Sequence, residues 1–445
     1  MNLDLNIPLY DLVECLAEAV DLISPELSNH HKQVAYISFN IAREMNLNLE
    51  QKNNLILAGL LHDSGGLAIK ERLEALRFEV ESPYQHAELG YRLFNKFEPL
   101  APIAQLIRYH HLPYQEVHKA GGCLLPEPVL QGCFILHLAD RVSVLLGPQK
   151  NILGQAAGIR RRIAEYSGTM FHPDMADSFL KLSEREYFWL DLVSPSITSL
   201  LQERANYFNI ELNLNLLTSL AKLFSQIVDF RSRFTAAHSS GTAACAEALA
   251  RFANFSERES QMIKVAGFLH DLGKIVVPED ILNKEAPLTD NERNIIKTHP
   301  YYTYRLLKKI KGFEPISSWA VYHHEKLNGS GYPFHLDASN LALGSRIICI
   351  ADIFTALTED RPYRRGMSAE ESMDILVQMA DCSEVDGNLV RLLKSHYDEM
   401  NQIRICAQNE SIKEYNVFWH APMESFLENL ASLTDGYREI GRPIE

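Results

Sequence analysis

The chain carries one pattern twice. LAGLLHDSGGL at 57–67 returns as VAGFLHDLGKI at 265–275, HAELGYRLFNKF at 86–97 as HPYYTYRLLKKI at 299–310, and IRYHHLPYQE at 107–116 as AVYHHEKLNG at 320–329. The offsets are nearly constant: 208 residues from His30 to His238 and from His62 to His270, 213 from His86 to His299 and from His110 to His323, and 212 from Asp140 to Asp352. One insertion of five residues and one deletion of one reconcile all of them. An internal repeat outranks every local signal as a guide to architecture. The expectation is therefore two copies of one domain, at residues 1–195 and 234–405, with a linker at 196–233 and a tail at 406–445.

Each copy reads as helical, and the fold class expected is all-α: two helical bundles joined by a helical linker. SERESQMIKVAGFLH places apolar residues at helical spacing behind Ser256, a good N-cap, and SAEESMDILVQMA does the same behind Ser368. The stretch 194–234 has few breakers and long helical periodicity, so it is expected to form one or two helices. GSRIICIAD has the composition of a short strand, but a helix is preferred because Asp352 then points inward beside the histidines. The tail after 405 carries no informative pattern.

The second copy gathers His238, His270, Asp271, His299, His323, His324 and Asp352. Mixed imidazole and carboxylate ligands suit iron, manganese, zinc or cobalt better than calcium or magnesium. Seven ligands exceed the needs of one tetrahedral zinc, but they suffice for two ions bridged by a carboxylate. Asp271 is the natural bridge, because neighbours on a helix point about 100° apart and so His270 and Asp271 can serve adjacent ions. A lone His-Asp pair arises by chance in a chain of this size. Isolated histidines such as His118, His137, His172, His335, His396 and His420 read as ordinary surface or core residues. The ordered set, present twice, does not.

Residues 235–370 carry HSSG, HDLGKIVVPEDILNK, THP, HHEKLNGSGYP and IADIFTALTEDRPYRR in that order. This order strongly resembles the HD-GYP domains, a branch of the HD metal-dependent phosphohydrolases. The resemblance implies an all-helical fold and hydrolysis of cyclic dinucleotides, best known with cyclic di-GMP, at a centre of two or three iron or manganese ions. Magnesium, nickel and zinc are alternative metals. Some members place a third-metal glutamate four residues before the first histidine. Phe234 stands there, so two ions are expected.

By the same resemblance Lys274, with Asp271 a catalytic residue, would contact the scissile phosphate. Gly331, Tyr332, Pro333, Arg361 and Arg364 would line the substrate site, and arginine suits bidentate phosphate capture. Two divalent ions can activate water and clamp phosphoryl oxygens, and one cut would yield a linear 5′-phosphorylated dinucleotide. Cyclic di-GMP is put ahead of 3′,3′-cyclic GMP-AMP as substrate, with both kept open. The Gly-Tyr-Pro loop is also a candidate docking surface for diguanylate cyclase (GGDEF) domains.

The first copy keeps His30, His62, Asp63, His86, His110, His111 and Asp140 as a candidate second metal site. It loses the rest: Gly66 replaces Lys274, LPYQEVHKAGG replaces the GSGYP loop, and no Arg-Pro-Tyr-Arg follows Asp140. Three roles are open to it: a structural and regulatory partner, a hydrolase for another phosphoester such as the 5′-phosphate of the linear product, or a nucleotide sensor. For the whole chain, a non-catalytic nucleotide- or partner-binding protein and an HD hydrolase of nucleoside phosphates are the competing classes.

The net charge of −14 argues against a protein that grips long nucleic acid. No apolar run approaches the roughly 18 residues of a membrane span. The acidic N-terminus MNLDLNIPLYDLVE lacks a signal peptide's basic region. Seven scattered cysteines without CxxC spacing point to a reducing, cytoplasmic setting.

Overall fold

The computed structural model describes residues 7–22, 29–67, 78, 84–119, 125–147, 151–205, 210–360 and 365–421. It is helical almost throughout. The one sheet among the described residues is a two-residue antiparallel pair, Ile7–Pro8 with Glu211–Leu212. By their contacts the residues form two units: Met1–Ile23 with Glu211–Trp419, and Ser24–Ile210 with His420–Glu445. The helix Leu9–Asp21, which the sequence division groups with the first copy, thus packs in the unit of the second. It lies against the turn Leu272–Val276 and the helix His299–Leu307, and Lys309 Nζ holds Glu18 at 2.6 Å.

Both units repeat one arrangement. In the second copy the helix His238–Phe252 packs between Glu257–Leu269 and Leu343–Thr358, and His299–Leu307 packs on Glu314–Val321. In the first, His30–Glu44 packs between Leu49–Leu61 and Glu127–Val144, and Tyr84–Phe94 packs on Ala101–Arg108. Ile263, Val265, Ile347, Ile350 and Phe354 are fully buried, as are Val34, Ile37, Leu60, Leu136 and Leu138. Each such side chain contributes about 1.5–3 kcal/mol of burial free energy.

Local signals set the ends of these helices. Ser256 and Ser368 each cap their helix in a reciprocal box with Glu259 and Glu371. The segment GSRIICIAD is helical, within Leu343–Thr358. The linker region holds the helices Ile197–Ala205 and Leu214–Asp229.

The chain turns sharply after each His-Asp pair, and a glycine makes that turn possible. A Cβ on Gly273 would sit 2.0 Å from the carbonyl oxygen of His299, and one on Gly65 would sit 2.1 Å from that of His86. These paired close approaches bring the third histidine of each copy to its His-Asp dyad. Thr303 braces the turn of the second copy: its hydroxyl accepts from Gly273 N–H at 2.9 Å and donates to the His270 carbonyl at 3.1 Å.

Candidate metal centre

In the second copy the histidine ligands arrive from helix ends or starts. His238 opens its helix, His270 closes the one before the turn, His299 opens the next, and His323 and His324 follow Val321 in a single 3-10 turn. Asp352 sits inside Leu343–Thr358 and faces them. Two ligand groups result: His238, His270 and Asp352, and His299, His323 and His324. Asp271 lies between them. Its Oδ2 faces His270 Nε2 at 3.3 Å and His238 Nε2 at 3.9 Å, and its Oδ1 faces His299 Nε2 at 3.2 Å and His323 Nε2 at 4.0 Å.

The donor set fits divalent ions. His270, His299 and His323 each turn Nδ1 to the backbone carbonyl three residues earlier, at 2.7 Å. A carbonyl only accepts, so Nδ1 carries the hydrogen and Nε2 presents a lone pair to the centre. The Nε2 atoms of His299 and His323 consequently face each other at 3.2 Å. Two such lone pairs repel until a proton or a metal ion comes between them, and the spacing suits an ion bound at about 2.0–2.2 Å. His270 Nε2 and Asp271 Oδ1 are buried with no hydrogen-bond partner among the described residues. An unpartnered buried carboxylate oxygen is costly.

The electrostatics match. Burial opposes ionisation of Asp271, but His270 and the Lys274 ammonium outweigh it and hold the carboxyl well below its usual range. Burial would likewise lower His238, yet Glu359 and Asp352 lift it to about 10. His324, buried beside His299, is pushed down to about 3.

Lys274 Nζ pairs with Asp271 Oδ2 and lines a cavity of about 660 Å³ with Phe234, Thr235, His238, Arg293 and Glu359. Tyr332 stacks on His324, with ring centroids 4.9 Å apart and planes at 29°. Gly331 is buried against the backbone of Glu325 and Lys326, where a Cβ would come within 2.4 Å of Lys326 N. The Glu325 carboxylate holds the loop by accepting from Phe334 N–H at 2.7 Å and Leu336 N–H at 2.9 Å. Arg361 and Arg364 lie outside the described residues, and Pro333 is half-buried.

The first copy repeats the geometry. His30, His62 and Asp140 form one group, and Asp63, His86, His110 and His111 another. Asp63 Oδ2 faces His62 at 3.3 Å and its Oδ1 faces His86 at 3.3 Å. His62 and His110 again turn Nδ1 to the carbonyls of Gly59 and Ile107. Asp63 Oδ1, Asp140 Oδ1 and His110 Nε2 are buried without a hydrogen-bond partner among the described residues.

Four polar residues at these centres escaped the sequence reading. Glu359 accepts from His238 Nδ1 at 3.1 Å. It lies seven residues after Asp352, two helical turns along one face, and that spacing was the available signal. Asp229 is buried, accepts from Ser239 N–H at 3.2 Å, and is driven by burial up to about 7. Asp21 stands 208 residues before it, so the repeat offset could have found it. Arg141 is buried and forks onto Asp140 Oδ2, with Nη2 at 2.6 Å and Nε at 3.2 Å. Ser143 Oγ meets His30 Nδ1 at 3.0 Å. Nothing in the sequence pattern marks the last two.

Comparison with known proteins adds to this geometry. The HD domain family matches twice, at residues 222–389 and 27–145. The chain is 30% identical over 414 residues to the 3′3′-cGAMP-specific phosphodiesterase 1 of Vibrio cholerae, covering 91% of this chain and 95% of that protein. It is 25% identical to the 3′3′-cGAMP-specific phosphodiesterase 3 of the same organism, over 83% of this chain and 90% of that one. The cyclic di-GMP phosphodiesterase PA4108 of Pseudomonas aeruginosa is 34% identical, over 36% of this chain and 37% of its own. Among solved structures, that of a V. cholerae cyclic GMP-AMP phosphodiesterase (V-cGAP3) shares the fold, with a TM-score of 0.61 at 21% identity over 88% of this chain and 98% of the other.

Proposed function

The chain belongs to the HD-GYP family of metal-dependent cyclic-dinucleotide phosphodiesterases, and from that premise we propose that its second copy opens 3′,3′-cyclic GMP-AMP in preference to cyclic di-GMP. The observation that carries the site assignment is Asp271, whose two oxygens face separate histidine groups beside a cavity. Sequence resemblance alone favoured cyclic di-GMP. The relatives that match both copies are named for cyclic GMP-AMP, whereas PA4108 matches only about a third of the chain.

In this reading His238, His270 and Asp352 would hold one ion and His299, His323 and His324 the other, with the Asp271 carboxylate between the two groups available to both. Iron or manganese suits these donors. The ions would supply an activated water and Lewis-acid stabilisation of the phosphoryl oxygens. The chain's own residues do the rest. Lys274, fixed by Asp271, points its ammonium into the cavity, where it offsets charge on the phosphodiester and can return a proton to the leaving oxygen. Tyr332 stacks on His324 and braces that imidazole at the edge of the centre. The backbone carbonyls behind His270, His299 and His323 keep each Nε2 aimed at the centre.

The first copy has the same donor types, and its Asp63 Oδ1, like Asp271 Oδ1, is buried without a hydrogen-bond partner among the described residues, which supports bound metal there too. Its fitting role is a second phosphoester step, such as removal of the 5′-phosphate from the linear product. The Gly331–Pro333 loop as a docking surface for GGDEF domains and a cytoplasmic setting complete the proposal. No helix among the described residues is long and apolar enough to cross a membrane.

The test is incubation of the full chain, loaded anaerobically with Fe(II) or with Mn(II), with each cyclic dinucleotide separately, resolving products by chromatography. Faster opening of 3′,3′-cyclic GMP-AMP, lost in Asp271→Ala and kept in Asp63→Ala, supports the reading. Faster opening of cyclic di-GMP overturns the substrate, and no opening of either ring overturns the site.

A further inference from the structure

The helix Tyr397–His420 lies beyond the matched HD region, which ends at residue 389. It nonetheless reaches the centre. Gln408 Nε2 donates to Glu359 Oε2 at 2.9 Å, and Glu359 accepts from His238 Nδ1 at 3.1 Å. On its other side Gln408 Oε1 accepts from Arg404 Nη1 at 2.5 Å. All four side chains are buried.

We propose that Gln408 is a positioning residue for the ion held by His238, acting through Glu359. Arginine has only donors, so Gln408 must turn its oxygen to Arg404 and its NH2 to Glu359. An ionised carboxylate only accepts, so Glu359 takes one hydrogen from Gln408 and one from His238 Nδ1. With Nδ1 committed to Glu359, His238 turns its Nε2 to the centre, 3.0 Å from Asp352 Oδ1, and Nε2 is the nitrogen left to bind the ion assigned there. This is the outer-shell carboxylate of a metal-bound imidazole, here set by a helix outside the matched domain. Gly241 leaves it room: a Cβ there would sit 3.0 Å from the Gln408 side chain. The first copy sets His30 by another route, since Ser143 accepts from Nδ1 and donates to Gln33 Oε1 at 3.0 Å.

The inference rests on the metal assignment above, so its test reads metal and not catalysis alone. Mn(II) is titrated into the full-length metal-free chain, following free Mn(II) by electron paramagnetic resonance, and Asp271→Ala marks which sites belong to the second copy. In Gln408→Leu, which fills the space but cannot donate, those sites should weaken by about 10- to 100-fold. The remaining sites should not change. The Mn(II) concentration for half-maximal ring opening should rise in parallel, while kcat at saturating Mn(II) and KM stay near the parent values.

A merely structural role would lower the melting temperature of the metal-free chain and leave Mn(II) affinity as it was. That result overturns the proposal. If Gln408→Leu does not fold, Arg404→Met decides on the same titration: it frees the amide to rotate and should weaken the same sites several-fold, and unchanged affinity refutes the relay. If the parent chain opens neither ring but the titration still shifts, the proposed function fails and the relay stands.

Discussion

The two copies share seven candidate ligand positions and the carbonyl braces on the His-Asp histidine and on the first histidine of the His-His pair, yet they treat charge differently. In the second, the cation is Lys274, partly exposed and set on Asp271 at the cavity wall. In the first, Gly66 stands at that position, and the cation is Arg141, sealed against Asp140 where the second copy has Ile353. The outer partner of the first histidine also changes, from the carboxylate of Glu359 to the hydroxyl of Ser143. A set of candidate ligands can thus be kept intact while the cation beside it changes from one that lines a cavity to one sealed in the core.

The largest expected contrast is between Asp271 and Asp63, the aspartates of the two His-Asp pairs. Asp271→Ala should cut ring opening by roughly 10³-fold or more, the scale of removing a central catalytic group, while Asp63→Ala should leave it within a few-fold. Equal losses, by steady-state assay, would break the comparison and make the copies one functional unit.

The cations give the next test. Lys274→Met should lower kcat by about 10²- to 10⁴-fold, the range for a proton-transfer group, and should also cost some stability, because it leaves the buried Asp271 carboxylate without its ammonium partner. Arg141→Met should act on stability alone. It strands a buried Asp140 and should cost about 3–5 kcal/mol in denaturant unfolding, with ring opening per folded molecule nearly unchanged.

Outer partners should matter less. Glu359→Gln should weaken metal retention at the second copy by about 10- to 100-fold. Ser143→Ala should weaken that of the first only several-fold, because a neutral partner contributes less. Counting ions per chain after graded chelation separates the two.

The smallest contrast is in pH. In the metal-free chain burial holds His30 and His137 down to about 3 and also depresses His110 and His111. A histidine with a depressed folded pKa protonates first in the unfolded chain, so its stability is full above about 6.5 and falls as pH drops toward 3. His62, raised to about 9 where Asp63 outweighs burial, opposes this. In the second copy His238 and His270 are raised while His323 and His324 are lowered, a more even division. Asp229, raised by burial to about 7, adds stability there on acidification. Between pH 7 and pH 5 the unit holding the first copy should therefore lose more protection in hydrogen exchange than the other.

Much of this was legible in the chain itself. Offsets of 208, 212 and 213 residues define the repeat and the ligands, and Ser256 and Ser368 mark helix starts because capping is local. What pairs with what was not legible, because those partners meet through folding. Ser143 lies 113 residues from His30 and Gln408 lies 49 from Glu359, with no spacing rule between them.

The sequence by itself determined that this protein is two all-helical copies of one metal-ligand pattern, since a repeated order of histidines and aspartates survives reading without coordinates. Only the tertiary structure decided the environment of each centre: that Lys274 faces a cavity, that Arg141 is sealed on Asp140, that Leu9–Asp21 packs with the second copy, and that a helix past residue 389 reaches His238. The physical reason is that a ligand's identity is written in its own side chain, whereas its basicity and orientation come from neighbours that only burial brings within hydrogen-bonding distance.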